Sequence, residues 1–216
     1  NNPIVIVDGV PVGNINEVNA NDIASMEILK DAAAQAIYGA RASNGVILIT
    51  TKRAAEGKSN VSYNSFYGMQ YINRNFDVYS PEEYAMLKRE AYRANNGGAY
   101  MQDKDVFTAI ELESLKNGNF IDWFDEVLEI APIQNHNFNF STGSDKTKVY
   151  SGFNYQQQDG VVPGTNFERM IIRLNVDQKL YSWLSLGINT NWNVSKKNDP
   201  GTGNTLERLV KASPLG

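Results

Sequence analysis

Apolar and polar residues alternate with a period of two in several segments that begin at Val61. In the last of these segments, Leu184 and Leu186 alternate with Ser185 and Gly187. Such alternation predicts antiparallel strands with one apolar and one polar face. The predicted strands lie near residues 61–71, 136–141, 149–155, 171–180 and 184–194.

The stretch from 72 to 135 breaks this alternation and predicts helices. Ser80, Pro81 and Glu83 are typical of a helix start, because Ser80 can cap the helix and Glu83 can reach back to the cap. The predicted elements are a helix from this start to about Ala94, a second from Asp105 to Asn117 that ends at Gly118, and a third short element at 123–128.

The first 57 residues predict a small α+β unit. The continuous apolar run Val46–Ile49 is typical of a strand covered on both faces. Asp31 is a suitable N-cap for a short Ala-rich helix, and Gly39 is a suitable stop. The predicted elements are strands at 4–7, 25–29 and 46–49, a helix over 32–38, and a polar linker over 53–58.

Composition excludes several classes of function. The net charge of −4 gives no basic footprint for nucleic acid. There is no cysteine, and His136 is the single histidine, so neither a thiolate metal site nor a histidine-based triad is predicted. Asp122, Asp125 and Glu126 could hold a cation, but solvated helix faces and caps are the favoured roles. We therefore predict no enzyme, no cofactor and no metal site.

No apolar run reaches the roughly 18 residues of a transmembrane helix. The chain also opens directly into a strand with no secretory signal, which predicts that it begins inside a longer protein.

Two architectures fit the alternating strands. A transmembrane barrel turns apolar side chains to lipid, whereas a soluble sandwich turns its polar face to water. The polar faces here carry mostly Asn, Ser, Gly and Gln, which favours the barrel modestly. Long connections at 72–135 and 158–168 alternate with short ones at 143–146 and 181–183, which also favours a barrel.

Several short motifs carry a family resemblance. Those in the first part of the chain are Asp8-Gly9-Val10-Pro11, Glu27–Asp31, Ile37-Tyr38-Gly39 and Asn44–Lys52. Those further on are Pro132–His136 and Asp159-Gly160. Together they resemble the plug and early barrel of TonB-dependent outer-membrane transporters of the SusC/RagA branch, and the resemblance covers nearly the whole chain.

The resemblance implies an α+β plug segment at 1–57, followed at 58–216 by antiparallel transmembrane β-barrel strands with a long helical extracellular loop at 72–135. Because the family's barrels have about 22 strands, the chain is expected to be a fragment with the later part of the plug and the first strands. The implied location is the bacterial outer membrane. The implied partners are a SusD-like surface lipoprotein, TonB through a region outside this chain, the rest of the same barrel, outer-membrane lipid, and an oligosaccharide or peptide cargo.

Two groups of residues are candidate sites. The plug charges expected to meet charges of the barrel wall in a breakable interface are Glu27, Lys30, Asp31 and Arg41. An ordinary solvated or locally paired role fits these charges equally well. The loop aromatics that could contact a ligand or a lid protein, or pack within the loop, are Tyr100, Trp123 and Phe124.

The functional hypothesis is import of glycans or peptides. One alternative is a barrel receptor for signalling or adhesion, in which the plug relays binding rather than passing cargo. A less favoured alternative is a soluble β-rich binding module.

Overall fold

The computed structural model describes residues 3–30, 38–74, 77–199, 201 and 204–216. The chain divides into two compact units. The first combines Asn1–Gly68, Ile133–Gln158 and Phe167–Lys197, and the second combines Met69–Pro132, Asp159–Asn166 and Asn198–Gly216. The division predicted from the sequence, at 57/58, follows the chain, whereas each compact unit brings distant segments together.

We call residues 3–57 the plug segment, after the resemblance described above, and in the first unit they contain a four-stranded sheet. Its strands are β1 (Ile4–Val7), β2 (Val10–Val12), β3 (Ile23–Leu29) and β4 (Val46–Thr51), in the order β2-β1-β4-β3. β1 and β4 are parallel, and the outer pairs are antiparallel. Short 3-10 helices occupy Ile15–Glu17, Ala20–Asp22 and Ala40–Asn44.

The central strands of this sheet are covered on both faces. Val5, Val7 and Ile49 pack in one apolar cluster, and Ile6 and Val46 pack in another. The two clusters explain why β4 is a continuous apolar run rather than an alternating one. Gly45 precedes β4 with φ 93°, and a Cβ there would lie 3.1 Å from the Leu29 carbonyl oxygen, so this turn favours glycine.

The long sheet, also in the first unit, contains the predicted alternating strands. They are β5 (Ser59–Gln70), β6 (Ala131–Gly143), β7 (Thr147–Asp159), β8 (Asn166–Tyr181) and β9 (Leu184–Asn198), and they neighbour one another in chain order. β6 and β7 pair in an antiparallel register, with Asn137 opposite Asn154. Each strand is longer than its alternating core.

The two faces of the long sheet have unusual environments. Asn137, Asn154 and Asn175 are buried on one face. On the other face, large apolar side chains such as Ile188 and Trp192 are exposed. A water-soluble sheet has the reverse distribution, so the arrangement is that of a sheet with a polar interior and an apolar exterior.

The second unit is helical. Its helices are α1 (Pro81–Asn95), α2 (Asp103–Val106), α3 (Ala109–Asn117), α4 (Trp123–Val127) and α5 (Thr205–Lys211). Ala85, Val106, Phe107 and Leu215 form its buried core, so the segment around Leu215 packs against α1 and the end of α2. Within the described ranges, no helix is long and apolar enough to cross a membrane.

The helix predictions are confirmed at one position and corrected at another. Ser80 and Glu83 form the predicted capping box of α1. The single helix predicted over 105–117 is wrong, because Phe107 is extended and Thr108 caps a new helix through a capping box with Glu111. The helix predicted over 32–38 lies outside the described residues apart from Tyr38.

Candidate plug–sheet interface

The plug segment packs on the polar face of the long sheet through side-chain hydrogen bonds. The Asn19 amide nitrogen donates to Asn137 Oδ1 at 2.6 Å. The Asn175 amide nitrogen donates to Thr51 Oγ1 and to the Lys52 carbonyl oxygen, each at 3.3 Å. Because these amides are buried, they must keep their hydrogen bonds, and this requirement fixes the position in which the plug segment packs on the sheet.

Arg173 of β8 is the buried cation at the centre of this interface, with 2% of its surface exposed. Its Nη1 donates to Asp8 Oδ2 at 3.1 Å, and its Nε lies 3.9 Å from Asp22 Oδ2. Two plug carboxylates therefore flank one guanidinium group of the sheet. All three charged groups are shielded from water. A charge in such a buried environment is costly unless it has a partner of opposite sign.

Asp8 is positioned by the turn that ends β1. Its φ of 50° lies in the left-handed region, and Gly9 follows with φ 87°. The Asp8 carboxylate accepts from the Thr51 N–H at 2.9 Å and from Thr51 Oγ1 at 2.5 Å. These bonds to β4 orient the carboxylate, and its Oδ2 accepts from both the Thr51 hydroxyl and Arg173.

Asp22 is positioned by the 3-10 helix Ala20–Asp22, whose N-cap Asn19 accepts from the Asn21 N–H at 3.1 Å. The Tyr150 hydroxyl donates to Asp22 Oδ1 at 2.8 Å. With its amide nitrogen turned inward, Asn139 also donates to this oxygen at 3.2 Å. Burial raises the pKa of Asp22, and the Tyr150 hydrogen bond and the positive charges of Arg173 and Lys52 only partly oppose this.

Gly152 of β7 provides the space for Asp22. A Cβ at this position would lie 2.9 Å from Asp22 Oδ1, 3.1 Å from Asp22 Oδ2 and 3.2 Å from the end of the Asn139 side-chain amide. Any side chain here would displace Asp22 from the sheet. The glycine therefore serves close approach rather than a turn.

More exposed contacts surround this buried centre. Arg53 pairs with Asp177 at 2.9 Å, with both side chains more than a third exposed. Arg169 Nη1 donates to the Asn16 carbonyl oxygen at 2.7 Å, and the Asn191 amide donates to the Glu17 carbonyl oxygen at 3.2 Å. Exposed ion pairs contribute about 0–1 kcal/mol, so Arg173 is the stronger determinant.

The plug charges predicted from the sequence lie elsewhere. Glu27 and Lys30 are exposed, on β3 and just after it. Asp31 lies outside the described residues, and for Arg41 only the backbone, in the 3-10 helix Ala40–Asn44, is described. Their contact with barrel charges stays a prediction. Sequence reasoning noted Asp8 only as part of a motif, and it did not assign Asp8, Asp22, Tyr150 or Arg173 to this interface.

The predicted loop aromatics have different environments. The Tyr100 hydroxyl donates to Glu90, and Arg93 lies over its ring at 5.5 Å. Phe124 is buried with Arg74 at 5.4 Å from its ring, and the Trp123 indole donates to the Ser213 carbonyl oxygen at 2.7 Å. Packing accounts for Phe124, whereas Trp123 and Tyr100 also present accessible surface.

The acidic residues near α4 are engaged in local structure. Arg74 donates to both Asp122 oxygens at 2.8–2.9 Å, and Asp122 accepts from the Phe124 N–H at 3.0 Å. Partial burial acts to raise the pKa of Asp122, but these hydrogen bonds lower it overall. In the described part of the chain, no group of three or more acidic, His or Cys side chains could hold a metal ion.

Comparisons with known proteins agree with this geometry. Residues 1–46 match the model of the TonB-dependent receptor plug domain. The TonB-dependent receptor P26 of Formosa agariphila is 35% identical over 97% of this chain. The TonB-dependent receptor SusC of Bacteroides thetaiotaomicron is 29% identical over 99% of this chain.

Solved structures of the RagAB system share the fold. One structure of the RagAB peptide transporter superposes with a TM-score of 0.76 at 28% identity, over 93% of this chain and 25% of that one. The chain spans about a fifth of the length of the curated relatives, 21% for both P26 and SusC. Its sequence and fold are those of the plug and adjoining β-barrel strands of a TonB-dependent transporter of the SusC/RagA type.

Proposed function

We propose that this chain is part of an outer-membrane transporter that imports glycans or peptides. In this role the long sheet forms part of the barrel wall, and the plug segment closes the lumen behind it. A SusD-like lipoprotein covers the outer face, and TonB pulls on the plug through a region outside this chain. The names of the relatives, a SusC receptor and a RagAB peptide transporter, support this assignment.

The observation that carries the proposal is the sidedness of the long sheet. Its polar face holds the plug segment through Arg173, Asn137 and Asn175, whereas its apolar face is exposed. An exposed apolar face is stable against lipid, and a plug held by polar contacts can be separated from the wall without exposing an apolar core.

The charge arrangement suggests how the plug is released. Pulling the plug away from the wall separates Asp8 and Asp22 from Arg173 and lets water reach all three groups. Because water solvates separated charges well, the desolvation cost of the closed state offsets much of its ion-pair attraction. The contact therefore holds the plug in register and still opens under force.

A signalling or adhesion receptor with the same plug and wall is the second candidate. Uptake distinguishes the two functions, because a receptor that only relays binding does not move its ligand into the cell.

Purification of the intact protein from outer membranes in detergent, with mass spectrometry of partners and bound ligand, tests the proposal. We expect a SusD-like lipoprotein together with an oligosaccharide or peptide. Recovery without any lipoprotein would count against the SusC-type assembly. A protein that stays folded and monomeric without detergent would contradict the barrel.

Plug movement can be tested with paired cysteines, since this part of the protein has no native cysteine of its own. Asn19→Cys with Asn137→Cys, joined by a short thiol-specific crosslinker, should fix the plug to the wall and abolish uptake of the cargo recovered above. Reduction of the linker should restore uptake. The matched control is Glu27→Cys with Asn137→Cys, since Glu27 is exposed on β3. Uptake that persists in the crosslinked protein would contradict a moving plug.

A further inference from the structure

The second unit is built from segments that are distant in the chain. The first connection joins β5 to β6 (71–130), the second connection joins β7 to β8 (160–165), and the third segment follows β9 (204–216). Strands of the long sheet separate these segments in the sequence. The contacts among the three segments therefore decide whether they form one body or three separate loops.

Leu215 of the third segment is buried in the core of the first connection, with 1% of its surface exposed. It packs in one apolar cluster with Ala85 of α1 and with Val106 and Phe107 at the end of α2. Phe107 and Leu215 are the largest of these four buried side chains. The third segment thus provides a substantial part of the core against which α1 and α2 pack.

Ser213 and Pro214 fix the leucine in this position by hydrogen bonds to three parts of the first connection. The Ser213 hydroxyl donates to Glu111 Oε1 of α3 at 3.2 Å, and the Ser213 carbonyl oxygen accepts from the Trp123 indole of α4 at 2.7 Å. The Ile121 N–H donates to the Pro214 carbonyl oxygen at 2.9 Å. Because these partners come together only when the first connection is folded, folding of the first connection and docking of the third segment depend on each other.

The second connection is bonded to both of its neighbours. The Glu129 N–H of the first connection donates to the Val161 carbonyl oxygen at 3.0 Å. The Asn198 amide, in the last residue of β9, donates to the Gly164 carbonyl oxygen at 2.8 Å. The contacts therefore link all three segments in a closed series.

We infer that residues 213–215 act as a clasp that joins these three segments into one cooperative body, which loosens and moves as a whole. Removal of a buried leucine side chain changes a folding equilibrium by about thirtyfold or more, so a single residue of the third segment can control the first connection. A ligand or partner that displaced the clasp would release all three segments together. The inference goes beyond the proposed transport function and does not depend on it, because it concerns contacts within the second unit and needs no cargo.

Hydrogen exchange on the intact, detergent-purified protein tests the clasp. In Leu215→Ala, we expect the amides of α1 and α3 and the Glu129 amide to exchange about thirtyfold or more faster than in the unmodified protein. Leu206→Ala is the matched control, since it makes the same change in the same segment at a position that is 46% exposed and outside the apolar cluster. It should change these rates by no more than about twofold.

Trp123→Phe is a second variant that keeps an aromatic ring and removes the indole N–H that donates to Ser213. It should speed exchange in α1 and α5 together by a smaller factor, of about two- to tenfold. Unchanged protection of β4 shows that the plug segment stays folded in each variant. If Leu215→Ala also loosens β4, Trp123→Phe decides the matter.

Two results would overturn the clasp. One is faster exchange confined to residues near 215, with α1 and α3 as protected as before. The other is an effect of Leu206→Ala equal to that of Leu215→Ala. In Trp123→Phe, loosening of α5 while α1 keeps its protection would likewise show that the segments are independent.

Discussion

The long sheet and the helical second unit distribute polarity in opposite ways. The sheet buries Asn154, Arg173 and Asn175 and exposes Ile188 and Trp192. The second unit buries Phe107 and Leu215 and places the Arg89–Asp103 pair at its surface. Polar side chains are thus buried in the sheet and exposed in the second unit, and large apolar side chains show the opposite distribution. This contrast indicates that the two regions face different solvents.

Each region also contains buried carboxylates, and the regions differ in how many cations neutralise them. In the second unit, Glu111 is matched by one cation, with Lys88 Nζ at 2.7 Å from both its oxygens. In the plug–sheet interface, Asp8 and Asp22 share one guanidinium. The second unit therefore pairs its buried carboxylate with one cation, whereas the interface places two carboxylates on one guanidinium.

Removing the shared guanidinium should have the largest effect. Arg173→Met leaves two buried carboxylates without their cation, and we expect plug seating to weaken by about 3–5 kcal/mol. Hydrogen exchange across the plug segment in the detergent-purified protein measures this. Arg53→Met, which breaks only the exposed Arg53–Asp177 pair, should cost about 0–1 kcal/mol. Equal losses in the two variants would contradict the central role of Arg173.

A charge on the exposed apolar face should come next in size. Ile188 is 57% exposed near the middle of β9, and Ile188→Lys should destabilise the barrel in lipid vesicles by roughly 2–4 kcal/mol. Ile110→Lys, at a 66% exposed position on α3, should change stability by less than about 0.5 kcal/mol. A neutral effect of Ile188→Lys would favour the soluble sandwich instead. Urea titration of the vesicle-bound protein measures both variants.

Much of this contrast could be predicted from the sequence, because it depends on local periodicity. The period of two predicted a strand near residues 184–194, and β9 extends over Leu184–Asn198. The cap residues Ser80 and Glu83 predicted the start of α1 for the same reason, since a capping box involves neighbours four positions apart or fewer.

The interface itself could not be predicted, because its partners are distant in the chain. Asp8 and Asp22 are each more than 120 residues from Arg173 and Tyr150, and each looks like an ordinary turn residue. The plug charges chosen instead, Glu27 and Lys30, stand out by their motif but lie in exposed positions. The Lys88–Glu111 pair was missed likewise, because helix spacing alone does not pair α1 with α3.

Crowding the plug against the sheet should have an intermediate effect. Gly152→Ala places a Cβ 2.9 Å from Asp22 Oδ1, and we expect plug seating to weaken by about 1–3 kcal/mol. Leakage of a large antibiotic into cells lacking TonB reports the loosened plug. Gly187→Ala is the control, because its Cβ would meet only the flexible Asp177 side chain at 3.2 Å. Leakage that is the same in both variants would refute the close-approach role.

Acid should act in opposite directions on Glu111 of the second unit and Asp22 of the plug–sheet interface. Burial acts to raise the pKa of Glu111, but the hydrogen bonds from Lys88 and the Thr108 N–H lower it below its ordinary value of 4.5. Its stabilising contribution is therefore present above pH 4.5 and lost as the pH falls through the folded value.

Asp22 has a pKa raised above its ordinary value of 3.8, mainly by burial. Its contribution is therefore complete below pH 3.8 and lost as the pH rises through the folded value. As the pH is lowered, hydrogen exchange corrected for intrinsic rates should show the plug segment tightening as Asp22 takes up its proton above pH 3.8, and the second unit loosening only below pH 4.5. Asp22→Asn should abolish the plug response alone, and Glu111→Gln the helical response alone. If both regions loosened or both tightened on acidification, the pKa values of Glu111 and Asp22 would be shifted in the same direction. That result would contradict the contrast between the two regions.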